Sequence, residues 1–241
     1  PKIIAMYRIQ NESRWIEKSL EETSKVCQEI VILDDCSTDN TVNICKKFPK
    51  VVDIYERKEP LPLDEVRDRN FLLKMALKRN PEYILALDGD EILMPNSKEI
   101  LFEELTNYPE EIVFSFQFLD MYEKPNQYRI DGDFKKIAQI RLIKIFENTI
   151  KIKHEESGYP GNAHSLHIPP TKFIPVRSNV KILHYGYYDK NTRLEKFQYF
   201  HKVDPGGQDF SGYKDMIAGD LDPSIVEYEI LPKGKFIENI K

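Results

Sequence analysis

Glycine is missing from the first 88 residues of this 241-residue chain, and all ten glycines lie at or beyond Gly89. That absence excludes a glycine-rich, phosphate-cradling loop from the amino-terminal third, whether of the Gly-x-Gly-x-x-Gly or the Walker type. A nucleotide bound there would need a metal and side chains to neutralise its phosphates. Cysteine is scarce as well: Cys27, Cys36 and Cys45 cannot all pair and show no Cys-x-x-Cys spacing, so they read as free thiols of a reducing compartment. Basic residues number 35 against 40 acidic ones, a formal net charge of −5, and no Lys/Arg block is long enough for a nucleic-acid footprint. No nucleic-acid partner is expected. No apolar run approaches the roughly 18 residues of a membrane span, and no charged-then-apolar signal precedes the first strand, so the expectation is a cytoplasmic protein without a transmembrane segment. Internal repeats are absent. The length suits one large α/β domain with a sizeable core.

What is present centres on Tyr83 to Leu93. Five apolar residues, Tyr83 to Leu87, follow the Asn80-Pro81 breaker, a length and flanking that favour a strand buried on both faces. The strand stops at Asp88, Asp90 and Glu91. Three carboxylates at the mouth of a hydrophobic strand repel one another unless a cation sits among them. Hard oxygen ligands suit Mg²⁺ or Mn²⁺, and Gly89 permits a turn tight enough for Asp88 and Asp90 to face one ligand. In α/β proteins ligands bind at the carboxyl ends of strands.

Along the chain, Ile3–Tyr7 reads as a strand running into Arg8, Asn11 and Glu12, and Ile16, Leu20, Thr23, Val26 and Cys27 mark the apolar face of a helix. Ile30–Leu33 is a second strand, tipped by Asp34-Asp35 and followed by Ser37, Thr38, Asp39 and Thr41, residue types that cap the next helix. Val51–Tyr55 is a third strand, and Val66, Asn70, Leu73 and Leu77 share a helical stripe that leaves Arg67, Arg69 and Lys74 at or beyond its edges. Strands alternating with helices argue for a parallel sheet of βαβ units. A helix from Ser97 through Leu105, an alternating strand at 112–118 and a strand at Arg141–Phe146 extend the sheet into a mixed part. Lys153 to Pro175 reads as a long functional loop. Val180–Tyr185 forms a strand with His184 at its end, and Thr192 with Glu195 opens a helix with Leu194 and Phe197 on its apolar face. A second Asp-Gly-Asp, at 131–133, follows polar residues and reads as a connecting turn.

This ordered set resembles the family 2 glycosyltransferases of the GT-A fold. The matching residues are the first strand into Asn11-Glu12, then Asp34-Asp35-x-Ser37-Thr38-Asp39-x-Thr41, Arg69-Asn70, and Asp88-Gly89-Asp90-Glu91 as the family's Asp-x-Asp (DXD) motif; looser matches are Arg141-Leu142, His154-Glu155 and His184-Tyr185-Gly186. The resemblance implies a mostly parallel, mixed central sheet with helices on both faces. It places a GT-A domain over 1–190, with a nucleotide-binding half at 1–93 and an acceptor half at 94–190, and a C-terminal helical or irregular extension packed on it at 191–241. It implies an inverting enzyme using a nucleotide-diphosphate sugar, UDP-sugar favoured, a Mn²⁺ or Mg²⁺ cofactor, and a protein, lipid-linked or saccharide acceptor. Tyr7 or its backbone would flank the base, Asp34 or Asp35 would accept from base or ribose, and Asp88 would approach the ribose or the metal. Helix capping is the structural alternative for Asp34 and Asp35. Arg69 would add a cation near the phosphates, or else pair with Asp64 or Glu65 at the surface. Asp90 would ligate the metal and His184 would complete its coordination, unless His184 is structural. Glu155 would be the catalytic base, with Glu156 as its rival.

Overall fold

The structure, a computed structural model, describes residues 1–146, 167–168, 173–203 and 217–238. It opens with β1 (Ile3–Ile9), α1 (Ile16–Val26), β2 (Glu29–Asp34), the short α2 (Thr41–Cys45), β3 (Val51–Glu56), α3 (Glu65–Leu77) and β4 (Tyr83–Asp88). These strands pair in parallel in the order β3-β2-β1-β4. The chain steps outward from β1 to β3 and then returns to the other side of β1, which makes the gap between β1 and β4 a topological switch point.

The sheet continues with β5 (Glu91–Leu93) and, after α4 (Ser97–Asn107), with β6 (Val113–Asp120), β8 (Ala138–Lys144) and β9 (Val176–His184). Its full order is β3-β2-β1-β4-β8-β6-β9-β5. β8 runs antiparallel to β4 and β6, β9 runs parallel to β6, and β5 runs antiparallel to β9, so the expected mixed, mostly parallel GT-A sheet is the observed one. β7 (Gln127–Arg129) and β10 (Tyr228–Ile230) form a separate antiparallel pair.

Alternation along β1 divides the core. Ile3, Ala5, Tyr7 and Ile9 face one layer with Ile16 and Leu20 of α1 and Leu101 and Leu105 of α4, while Ile4 and Met6 face Leu72, Leu73, Met75 and Ala76 of α3. A strand buried on both faces needs an unbroken apolar run, which explains why β1, β2 and β4 carry one. A third cluster gathers Trp15, Ile92, Leu183, Tyr185 and Tyr188 at the carboxyl edge. There Trp15 stacks on Tyr185 with ring centroids 4.7 Å apart, fixing the turn after β9 against the start of α1.

Two helices differ from their sequence patterns. In α3 the buried face holds Asp68 and Arg69 beside Leu72, Leu73, Met75 and Ala76, so Arg69 lies inside and not at the edge of the stripe. In α5 (Lys190–Val203) Leu194 and Phe197 are only half-buried and the buried residue is Arg193, bonded to Asp220 and Glu123. The capping residue is Asp189, which accepts from the Thr192 amide at 2.9 Å. Among the described residues, no helix is long and apolar enough to cross a membrane. Asp131 opens a short 3-10 turn over Gly132–Lys136 and pairs with Arg129, in keeping with a connecting role.

Candidate active site

β4 delivers Asp88, and the turn at Gly89 brings Asp90 and Glu91 around it. Among the described residues, each of these carboxylates has its own cation. Asp88 Oδ1 accepts from Arg69 Nη2 at 2.9 Å. Glu91 accepts from Arg141 Nη2 at 2.6 Å and Nε at 3.1 Å. Asp90 Oδ2 accepts from Lys196 Nζ of α5. Burial works against ionising Asp88, but the Arg69 guanidinium and His167 outweigh it and hold its carboxyl well below the usual range. Burial likewise opposes the charge on Asp90, where Lys196 and then His184 overcome it. The mutual repulsion expected from sequence is therefore answered locally, by side chains from α3, β8 and α5.

Among the described residues Glu12 makes no ion pair of its own: Lys196, the cation beside it, is bonded to Asp90. Glu12 sits at the end of the β1 loop against the same turn, where a Cβ on Gly89 would stand 2.5 Å from Glu12 Cγ. Burial, and then the charge of Asp90, push the Glu12 carboxyl well above the ordinary range. Only glycine admits this approach of turn and side chain.

The second acidic tip is stitched to the first loop. Asn11 N–H donates to Ser37 Oγ at 2.8 Å, Thr38 N–H to Asn11 Oδ1 at 2.8 Å, and Glu12 N–H to Thr41 Oγ1 at 2.8 Å. The Ser-Thr-Asp-x-Thr run thus fastens β2 to β1 besides serving α2. Asp35 is fully engaged by Arg8 and Arg57, whereas Asp34 accepts from the Ser37 amide through Oδ2 at 3.1 Å and its buried Oδ1 has no protein partner. Burial raises the Asp34 carboxyl. The Tyr7 ring points into the core and its hydroxyl bonds Ser19 at 2.9 Å and Thr23 at 2.7 Å, so of the two expected possibilities the ring does not line the mouth and the backbone is the one left. The alternation of β1 dictates this, since Tyr7 shares a face with Ala5 and Ile9.

His184 is placed by register. β9 lies between β6 and β5, setting His184 opposite Asp120 on one side and Glu91 on the other. Its Nδ1 meets Asp120 Oδ1 at 2.6 Å, and its Nε2 faces Asp90 Oδ2 at 3.9 Å. Burial tends to lower the imidazole, but the Asp120 bond and the Asp90 charge raise it. Tyr185 N–H donates to the Asp90 carbonyl at 2.9 Å, which holds the two turns together. Gly186 completes the cradle. A Cβ there would stand 2.5 Å from His184 Nε2, 2.7 Å from Lys196 Nζ and 2.8 Å from Asp90 Oδ2, so three polar atoms converge on a space that only glycine leaves open.

This donor set fits a divalent ion. A carboxylate oxygen suits Mn²⁺ or Mg²⁺ and an imidazole nitrogen suits divalent first-row metals, the His184 ring is oriented by Asp120 as ligating histidines are by outer carboxylates, and 3.9 Å lies within the span of two ligands of one ion. A second grouping, Asp88, Glu91 and His167, has ligand atoms within 4.8 Å of one another. It fits less well, because Asp88 and Glu91 already hold the buried guanidiniums of Arg69 and Arg141 and His167 Nε2 is bonded to Asp88 at 2.7 Å. Burial, and then Arg141 and Arg69, lower the His167 imidazole.

The profile of Glycosyl transferase family 2 matches residues 8–166, well over half of the chain. The chain belongs to that family. Over 196 residues it is 27% identical to glycosyltransferase SunS of Bacillus phage SPbeta, which covers 81% of this chain and 42% of SunS. An uncharacterized protein of Mycobacterium tuberculosis is 28% identical over 94 residues, covering 37% of this chain and 23% of that protein. The chain therefore spans less than half the length of these curated relatives. S. aureus TarS superposes with a TM-score of 0.51 at 16% identity, over 92% of this chain and 43% of TarS, and shares the fold.

Within this family 2 chain the structure brings Asp34, Arg69, Asp88, Asp90 and His184 to the carboxyl edge around the β1/β4 switch point, with Asp35 beside them in an arginine network. Glu155, with His154 and Glu156, lies outside the described residues. Sequence reasoning missed Lys196, the partner role of Arg141, and the places of Asp120 beside His184 and of His167 beside Asp88. A lone lysine in a charged helix carries no motif, and only the register of β6 with β9 reveals Asp120.

Proposed function

We propose that this chain transfers a sugar from a nucleotide-diphosphate donor, with UDP-sugar favoured, to an acceptor hydroxyl with inversion at the anomeric carbon. The observation that carries this reading is the paired acidic tips of β2 and β4 on either side of β1, at the switch point of a sheet with no glycine-rich phosphate loop. Asp34, with an oxygen left unpaired, suits a ribose hydroxyl or a base N–H; its neighbour Asp35 is held by Arg8 and Arg57 and serves to position the loop. Asp88 lies on the ribose side, with Arg69 contributing positive charge near the phosphates. Asp90 and His184 would hold Mn²⁺ or Mg²⁺, which when bound supplies Lewis-acid stabilisation to the departing diphosphate.

Glu155 is the proposed base, on the strength of its sequence context beside His154. The acceptor oxygen attacks the anomeric carbon from the face opposite the diphosphate, its proton passes to the Glu155 carboxylate, and the carbon–oxygen bond to the nucleoside diphosphate breaks. The acceptor is a protein, a lipid-linked sugar or a saccharide. Incubation with UDP-, GDP- and dTDP-sugars in Mn²⁺ tests the reading. Slow, metal-dependent release of one nucleoside diphosphate is expected, and no release or binding with any donor would overturn it.

A further inference from the structure

Among the three carboxylates of the β4–β5 turn, Asp90 differs from its neighbours in the kind of cation that holds it. Arg69 and Arg141 are guanidiniums with side chains only 2% exposed, each drawn from an element packed in the core. Lys196 is an ammonium on a four-carbon stem with a side chain 30% exposed, reaching Asp90 from 106 residues away in sequence. Its backbone is anchored independently: one turn earlier, Arg193 is locked by Asp220, Glu123 and the carbonyls of Tyr187 and Tyr188. The position of the helix thus does not depend on the Lys196–Asp90 contact alone. A compact ammonium with rotatable donors exchanges partners more readily than a buried bidentate guanidinium.

The geometry also shows where the head sits. Lys196 Nζ shares the cradle over Gly186 with Asp90 Oδ2 and His184 Nε2, the two atoms to which the metal is assigned. A divalent ion at Asp90 Oδ2 would meet the ammonium already bonded to that oxygen, and like charges at contact distance repel. Glu12 and the Tyr187 ring, 5.8 Å away, border the ammonium on its other sides.

We propose that Lys196 is an exchangeable counter-cation. It holds Asp90 in the metal-free protein, yields that carboxylate to the incoming ion, and then pairs with the donor's diphosphate. This rests on the assignment of Asp90 and the nucleotide-diphosphate donor above. It predicts effects of opposite sign on two ligands, which a merely structural lysine would not give. Lys196 competes with metal but cooperates with diphosphate.

The test uses the full chain with Lys196→Met and, in case Asp90 left without a hydrogen-bond donor impairs folding, Lys196→Gln, which keeps a donor and removes the charge. Mn²⁺ alone is titrated by calorimetry or electron paramagnetic resonance. Then whichever of UDP and GDP binds wild type more tightly is titrated in saturating Mn²⁺. Loss of one competing charge at contact distance should tighten Mn²⁺ binding about tenfold, and loss of one phosphate contact should weaken nucleotide binding by about tenfold. A variant whose Mn²⁺ affinity is unchanged or weaker overturns the exchange, and unchanged nucleotide affinity overturns the diphosphate contact. Wild type that binds no Mn²⁺, or neither nucleotide, overturns the site assignment and this inference with it. Wild type that binds both, with variants that do not differ, overturns this inference alone.

Discussion

At the scale of single residues, Gly186 is the position where one methyl group tests the cradle. Gly186→Ala places a carbon under 3 Å from His184 Nε2, Lys196 Nζ and Asp90 Oδ2. The lysine head can move aside, but the imidazole is held by Asp120 and the carboxylate by its short turn. Mn²⁺ affinity should therefore fall by about tenfold or more, as expected when the shell around a metal is disturbed, and because the clash is present without the ion the thermal midpoint of the metal-free protein should fall as well. Calorimetry with Mn²⁺ beside a thermal melt checks both. Glu155 is tested differently, through chemistry alone. Glu155→Gln keeps size and hydrogen-bonding reach but cannot take the acceptor's proton, so transfer should drop by about 10²–10⁴-fold with nucleotide affinity nearly unchanged, and Glu156→Gln should do much less. Rates for Glu155→Gln like those of wild type would move the base to Glu156 or Asp120. The acidic residues of this site were legible in sequence because carboxylates ending an apolar strand are locally odd. Which cation pairs with which carboxylate was not. Arg69 acts 19 residues away and Lys196 acts 106 away, distances over which no spacing rule operates.

At the scale of elements, ion pairs do work that periodicity assigns to apolar faces. β1, β2, β4 and α1 follow their apolar patterns closely, since burial of a strand on two faces or a helix on one leaves a local signature. α3 and α5 do not, because Asp68, Arg69 and Arg193 are buried by virtue of their partners. Asp68 is fully enclosed and ties α3 to β1 through Arg8, to the segment after β3 through Arg57, and to Arg67. Burial alone would raise its carboxyl, but the three guanidiniums lower it to about 2. A depressed carboxylate adds stability above its unfolded value, near 3.9, that is lost as pH falls through the folded value. Asp68→Asn should thus cost at least about 2 kcal/mol at pH 7, and the gap between variant and wild type should close between about pH 4 and pH 2. Denaturant melts across that range check it. A gap that persists unchanged at pH 2 would show that packing, not charge, makes Asp68 matter. The order of β8, β6, β9 and β5 was likewise beyond reach of the sequence, as each pairing joins distant segments.

At the scale of the whole molecule, the site exists only because the sheet brings β1, β2, β4 and β9 to one edge and α5 across it. A nucleotide diphosphate bound there would touch elements from both halves of the chain, so its binding should be read out in global stability. Without a divalent ion, the diphosphate would meet Glu12, Asp34, Asp88 and Asp90, an edge whose arginines and lysine are already engaged. UDP in EDTA should therefore shift the thermal midpoint little. Mn²⁺ alone should shift it modestly, since the ion gains Asp90 at the expense of the Lys196 pair. Together they should act more than additively, because the ion neutralises the phosphates and frees the ammonium to meet them. Ligand at about 100 times its dissociation constant stabilises the folded state by roughly 2.7 kcal/mol, which for a domain of this size corresponds to a rise of roughly 5–10 °C. Equal shifts with UDP in EDTA and in Mn²⁺ would mean that side chains alone neutralise the diphosphate. Lys196, Arg69 and Arg141 would then be the groups responsible, and Asp90 would be an anchor for Lys196 instead of a metal ligand.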